Sequence, residues 1–190
     1  MRHKKPVLLI DQDDVLAEYI KGVTLAFNDK YHTSFEVDTC NSWNLTSVFG
    51  DEIETVMHEP KLFENLEPAK DAISVFERLY KSDLFDMYIV TAARPECVPA
   101  KYKWLQKHLP FFPKERFIVC SCKYMIKGDY LLDDGMHNIE DFAKSGGVPI
   151  VYSRPHNLNQ GKEYYRVNDW KSFEQFILSQ CYPEKAKDYL

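Results

Sequence analysis

The apolar run Val7-Leu8-Leu9-Ile10 ends abruptly in Asp11-Gln12-Asp13-Asp14, and no other stretch constrains the fold of this chain as strongly. Four consecutive apolar residues read as a short buried strand. The three carboxylates that follow repel one another, and their pKa values rise unless a cation sits among them. Mg²⁺, a hard ion that takes one or two carboxylates together with a substrate phosphate, is the ordinary solution. The junction therefore predicts phosphate chemistry at the C-terminal end of a strand.

The rest of the chain alternates short apolar runs with helical periodicity. Leu16, Tyr19, Ile20, Val23 and Phe27 form one helical stripe, and Ala69, Ala72, Ile73, Phe76, Leu79 and Tyr80 form another. Between them, residues 33–66 are rich in aromatic and polar side chains, with a short helix expected near 51–58. Met87–Val90, Phe117–Cys120, Tyr130–Leu132 and Val148–Tyr152 read as further strands. Pro99 opens a helix with Tyr102 and Leu105 on its buried face, Ile139 and Phe142 mark a short helix stopped at Gly146-Gly147, and Trp170, Phe173, Phe176 and Ile177 mark a last one. The final ten residues read as a loose tail. Strands alternating with helices predict an α/β fold, a parallel sheet with helices on both faces.

Ligands of such sheets bind beyond the carboxyl ends of the strands. Those ends carry Asp11 and Asp13, Thr91, and Asp133-Asp134, while Lys123 follows the third strand. A carboxylate can accept a phosphoryl group, a second can pass a proton to the leaving oxygen, and a hydroxyl, a Lys and Mg²⁺ can offset the phosphoryl charge. Taken singly, Thr91 reads equally as a helix cap, Asp133 or Asp134 as the cap of the next helix, and Lys127 competes with Lys123.

Composition narrows the partners. With 190 residues, 45% of them apolar and 14% aromatic, the chain can build one domain with a modest insertion. A net charge of −5 argues against a nucleic-acid polymer as partner and leaves a small anionic substrate open. The basic start Met1-Arg2-His3-Lys4-Lys5 precedes only four apolar residues, too few for a signal peptide, and no segment approaches a membrane span. Cys40, Cys97, Cys120, Cys122 and Cys181 are irregularly spaced and read as reduced thiols, which makes a cytoplasmic location the expectation. The histidines, at positions 3, 32, 58, 108, 137 and 156, show no ligand spacing and are expected in solvated or capping roles.

In type and order, these clusters resemble the haloacid-dehalogenase (HAD) superfamily of phosphatases. Asp11-Gln12-Asp13-Asp14-Val15 matches the first motif, D-x-D-x-[TV]; Thr91, Lys123 and Leu131-Leu132-Asp133-Asp134 match the other three. The resemblance runs from residue 6 to about 178. It implies a Rossmann-like sheet with a small helical cap inserted after the first strand, the core over about 1–16 and 68–180 and the cap over about 17–67. It further implies Asp11 as nucleophile, Asp13 as acid and base, and Thr91 and Lys123 on the phosphoryl group. Mg²⁺ would be held by Asp11, the Asp13 main-chain carbonyl and Asp134, with Asp133 supporting Lys123.

Within that superfamily the chain is most similar to the 5′(3′)-deoxyribonucleotidases. The similarity rests on Val15-Leu16-Ala17, Tyr19, Phe63-Glu64-Asn65-Leu66-Glu67-Pro68, and Lys123 placed ten residues before the acidic pair. It implies hydrolysis of (deoxy)ribonucleoside monophosphates, with Tyr19, Trp43 and Asn44 placed by position to hold the base. Stacking on such rings is worth about 1–3 kcal/mol per base. Asp14 stands where this subfamily commonly has Gly, and Ala92 leaves no second hydroxyl beside Thr91. Residues 36–58 match least, so a sugar phosphate or other small phosphorylated metabolite stays open as the alternative substrate. Trp43 and the tyrosines suit a homodimer interface as well as a pocket. A receiver domain gathers similar groups but places its phosphorylated Asp after the third strand, where this chain has Cys120-Ser121-Cys122.

Overall fold

The computed structural model describes residues 4–185; the positions of Met1, Arg2 and His3 in the basic start, and 186–190 of the expected tail, lie outside it. In chain order the elements are β1 (Val7–Ile10), α1 (Tyr19–Tyr31), α2 (Thr46–Phe49), α3 (Glu54–Met57), α4 (Pro60–Asn65) and α5 (Ala72–Lys81). Then follow β2 (Asp86–Thr91), α6 (Val98–His108), β3 (Phe117–Val119), β4 (Tyr130–Asp133), α7 (Met136–Lys144), β5 (Val148–Tyr152), β6 (Tyr165–Val167) and α8 (Trp170–Cys181). Every strand pairing is parallel, and the sheet runs β3-β2-β1-β4-β5-β6.

Side-chain alternation along the strands creates two cores. Leu8, Ile10, Met87 and Ile89 pack on the face covered by Phe76 of α5, Trp104 of α6 and Trp170 of α8. Leu9, Val90 and Leu131 pack on the opposite face against Phe142 of α7. A third cluster belongs to the segment between β1 and α5, where Val23 and Phe27 of α1 meet Leu45, Phe49, Ile53 and Val56. The α/β class with helices on both faces is therefore as expected.

That segment leaves and rejoins the sheet at one place. Glu18 N donates to Glu67 O (2.9 Å), Ala69 N donates to Leu16 O (2.8 Å), and Ala17 pairs with Pro68. Two buried indoles hold this root: Trp170 Nε1 donates to Val15 O and Trp104 Nε1 to Leu66 O, both at 2.8 Å.

Several sequence expectations shift. Leu16 lies before α1, not in it, because Leu16 N and Ala17 N both turn back to Gln12 O at 2.9 Å. Ala69 likewise precedes α5, which starts after Asp71 at a φ of 61°. The buried face of α6 is Ala100, Lys101, Trp104 and Leu105, with Tyr102 only half-buried. Tyr182, read as tail, packs edge-on against Phe85 and donates to Leu84 O at 2.8 Å. Strand β6 carries no sequence signal, since three residues among charged neighbours show no readable period. All five cysteines are free, and no helix among the described residues is long and apolar enough to cross a membrane.

Candidate active site

The strand ends that carry the motifs meet at a cavity of about 430 Å³. Its floor holds Asp11, Asp13, Thr91, Lys123 and Asp134; Tyr19, Trp43, Met57 and Phe63 stand around it. Asp11 is set by the sheet itself, because its N–H donates to Leu132 O at 3.0 Å and extends the β1–β4 pairing one residue beyond the strand. The chain then folds back tightly, with Asp14 N donating to Ala17 O at 2.7 Å.

Asp14 has a φ of 52°, the left-handed region in which Gly is at ease and Asp or Asn is tolerated. The backbone at this position is thus one that suits Gly. Here the extra carboxylate turns toward α1 and accepts Ile20 N at 3.0 and 3.2 Å, satisfying a free donor of the first helical turn. Arg154 closes the same corner, donating to Asp14 O at 2.6 Å and to both Glu18 carboxylate oxygens at 3.1 and 3.2 Å.

Lys123, buried in the turn after β3, places Nζ 2.7 Å from Asp11 Oδ1 and 2.6 Å from Asp133 Oδ2. Burial works to lower its pKa, but the two carboxylates outweigh that and hold it above its ordinary value. Asp133 is not part of the cavity wall. Its oxygens also accept Gly135 N at 2.8 Å and Asn138 Nδ2 at 3.2 Å, so it serves as the fixed counter-ion of Lys123. Asp134 is held from behind by Asn157 Nδ2 on its carbonyl (2.9 Å) and by His156 Nε2, 3.1 Å from Oδ2.

Oxygen atoms of Asp11, Asp133 and Asp134 lie within 4.8 Å of one another, all buried. Burial pushes the Asp11 carboxyl up to about 8; Lys123 pulls against this, and Asp133, Asp134 and Asp13 add to it. Asp134 rises to about 8 through burial and the neighbouring Asp133. Two such carboxyls facing one cavity are the donor set a hard divalent cation takes, and its charge would reverse both shifts.

The structure also assembles what the motifs did not announce. Lys101 of α6 is fully buried, with Nζ 2.5 Å from Asp13 Oδ2, 2.8 Å from Thr91 Oγ1 and 3.0 Å from Ala92 O. A signal existed: Lys101 interrupts an apolar stripe of Cys97, Trp104 and Leu105 at helical spacing. Of the histidines expected in solvated or capping roles, His32 and His58 do stand at the C-terminal caps of α1 and α3, but His58 and His137 also line the cavity and His156 is buried. Arg94 reaches the rim, 3.3 Å from Glu54 of α3.

The residues expected at the base divide. Tyr19 lines the cavity, stacks on Phe63 (5.6 Å, 12°) and donates to Met57 O at 3.0 Å. Trp43 lines it too, 57% exposed, with its ring edge-on to His137 and His156 at 5.1 and 5.3 Å. Asn44 does not. Its Oδ1 accepts Thr46 N (3.1 Å) and Thr46 Oγ1 (2.6 Å) at the start of α2.

A parallel sheet of this order with carboxylates at the ends of β1 and β4 defines a hydrolase of the HAD class. The fold is shared with a predicted phosphatase from Clostridium acetobutylicum (TM-score 0.64, 16% identity, covering 92% of this chain and 99% of that one). It is shared equally with a HAD-hydrolase from Bacillus subtilis solved with magnesium (TM-score 0.62, 15% identity, 92% and 99%). Residues 5–182 match the family described as 5′ nucleotidase, deoxy (Pyrimidine), cytosolic type C protein, and the chain belongs to that family. It is 32% identical over 179 residues to the 5′(3′)-deoxyribonucleotidase of Bacillus subtilis, covering 92% of this chain and 99% of that one. A Staphylococcus aureus protein assigned by its name to the same enzymes is 33% identical over 176 residues, covering 90% and 94%. The protein is thus a phosphoric monoester hydrolase of the 5′(3′)-deoxyribonucleotidase type.

Proposed function

We propose that the protein hydrolyses deoxyribonucleoside monophosphates to nucleoside and phosphate through an aspartyl-phosphate on Asp11. The observation that carries this reading is the single cavity in which Asp11, Asp13, Thr91, Lys123 and Asp134 lie opposite the rings of Tyr19, Phe63 and Trp43. Its volume of about 430 Å³ suits a mononucleotide.

Asp11, steadied through Oδ1 by Lys123, attacks phosphorus; the ester P–O bond breaks, and Asp13 passes its proton to the leaving oxygen. In the second step Asp13 takes a proton from water as that water attacks phosphorus, and the Asp11 carboxylate leaves. The Thr91 hydroxyl and the Lys123 ammonium bind the phosphoryl oxygens and offset their charge. Mg²⁺ would be held by Asp11, the Asp13 carbonyl and Asp134, with Asp133 behind, and supplies positive charge at the phosphoryl group. The buried carboxylates and their raised pKa values support that placement.

The test is phosphate release from a panel of 5′- and 3′-(deoxy)nucleotides and sugar phosphates, with Mg²⁺ and with EDTA. Mg²⁺-dependent turnover selective for deoxynucleotides is expected, abolished by Asp11→Asn without loss of folding. Turnover of sugar phosphates alone would overturn the substrate, and an active Asp11→Asn enzyme would overturn the mechanism.

A further inference from the structure

Lys101 is a buried ammonium that the proposed reaction does not use. Its Nζ reaches three acceptors, Asp13 Oδ2, Thr91 Oγ1 and Ala92 O, which occupies all three of its hydrogens. An ammonium only donates, so the Thr91 hydroxyl accepts from it and must send its own hydrogen elsewhere. Among the described residues its hydrogen-bond acceptor is Ala92 O at a long 3.3 Å, an oxygen it shares with the closer Lys101 donor at 3.0 Å. A hydrogen held this weakly turns readily to an anionic oxygen in the cavity that Thr91 lines. On its other side the ammonium lies 5.0 Å from the Phe63 ring centroid, and Phe63 of α4 stacks on Tyr19 of α1.

We propose that Lys101 is a positioning residue: it aims the Thr91 hydroxyl as a donor at the phosphoryl group and ties that aim to the Phe63–Tyr19 ring pair. The proposal rests on the reading of this cavity as a phosphate site. It differs from a role for Lys101 as a bare positive charge, because a bare charge would attract phosphate whether or not Thr91 carried a hydroxyl.

The experiment is calorimetric titration of inorganic phosphate, with Mg²⁺ present, into wild type, Lys101→Met, Lys101→Gln, Thr91→Val and the Lys101→Met/Thr91→Val double variant. Thermal melts follow folding in parallel. Lys101→Met and Thr91→Val should each weaken phosphate about ten-fold, and the double variant about ten-fold, not a hundred-fold. Lys101→Gln, whose amide still donates to Thr91, should keep near-wild-type affinity. Additive losses, Gln behaving as Met, or no phosphate binding by wild type would each overturn the proposal. If the Met variant does not fold, the Gln variant alone decides, since a bare charge predicts about a ten-fold loss there. Wild-type protein that binds phosphate with the expected pattern yet releases none from any deoxynucleotide would refute the nucleotidase reading and leave the role of Lys101 standing.

Discussion

Asp14 accepts the backbone N–H of Ile20 at 3.0 Å while holding a φ of 52°, so one residue both makes the sharp turn after β1 and starts α1. Asp14→Ala loses the cap and keeps the strained backbone. It should cost about 1–2 kcal/mol, a fall in Tm of roughly 3–6 °C in a melt. Asp14→Gly relieves the backbone and should cost less, with kcat within about two-fold of wild type. A Gly variant less stable than the Ala variant would show that the turn does not set this balance.

Acid should stabilise the metal-free protein. In the folded chain Asp11 and Asp134 titrate near 8, against an ordinary 3.8. The folded state therefore holds protons that the unfolded chain releases. The resulting stability is complete below 3.8 and is lost as pH rises through about 8. Melts in EDTA should show Tm falling between about pH 5 and 8, and Mg²⁺ should raise it far more at the higher pH. An EDTA profile that is flat over this range would contradict the burial of those carboxylates.

Lys123 offers a different readout, because it neutralises two buried carboxylates at once. Lys123→Met leaves Asp133 charged with no ammonium and should cost about 3–5 kcal/mol, a drop of roughly 10 °C. Adding Asp133→Asn should recover part of that stability but none of the turnover. Failure of the second substitution to restore any stability would separate Asp133 from Lys123.

Trp43 makes T-shaped contacts with His137 and His156 and is 57% exposed, so Trp43→Ala should barely move Tm. If the base stacks on it, KM for a deoxynucleotide should rise about ten-fold or more, with a small aryl phosphate unaffected. Equal effects on both substrates would place its role in packing.

The sheet and its reactive edge were legible because a parallel strand puts its last residues at the ligand side whatever helices come between. Asp11, Thr91 and Asp133 each follow a readable apolar run. Lys101 was not legible by that rule, since it sits within a helix beside Lys103 and Lys107, and only its place on the apolar stripe sets it apart. His156 meets Asp134 from 22 residues away through a turn that carries no periodicity. At Asn44 a local pull is at work that position along the chain does not reveal: the side chain is short enough for its Oδ1 to accept from the neighbouring Thr46.

The paired root of the inserted segment has an evolutionary consequence. Chain exit and return meet at Ala17 and Pro68, and the indoles of Trp170 and Trp104 pin the two sides to the catalytic layer. What lies above that root can lengthen, shorten or be exchanged at small entropic cost, because closing a longer loop between fixed ends becomes only slowly more expensive. Under the proposed function, the segment that carries Tyr19, Trp43 and Phe63 could change while the groups on the sheet stay in place, and transplanting it between relatives at those same two residues would put that division to the test.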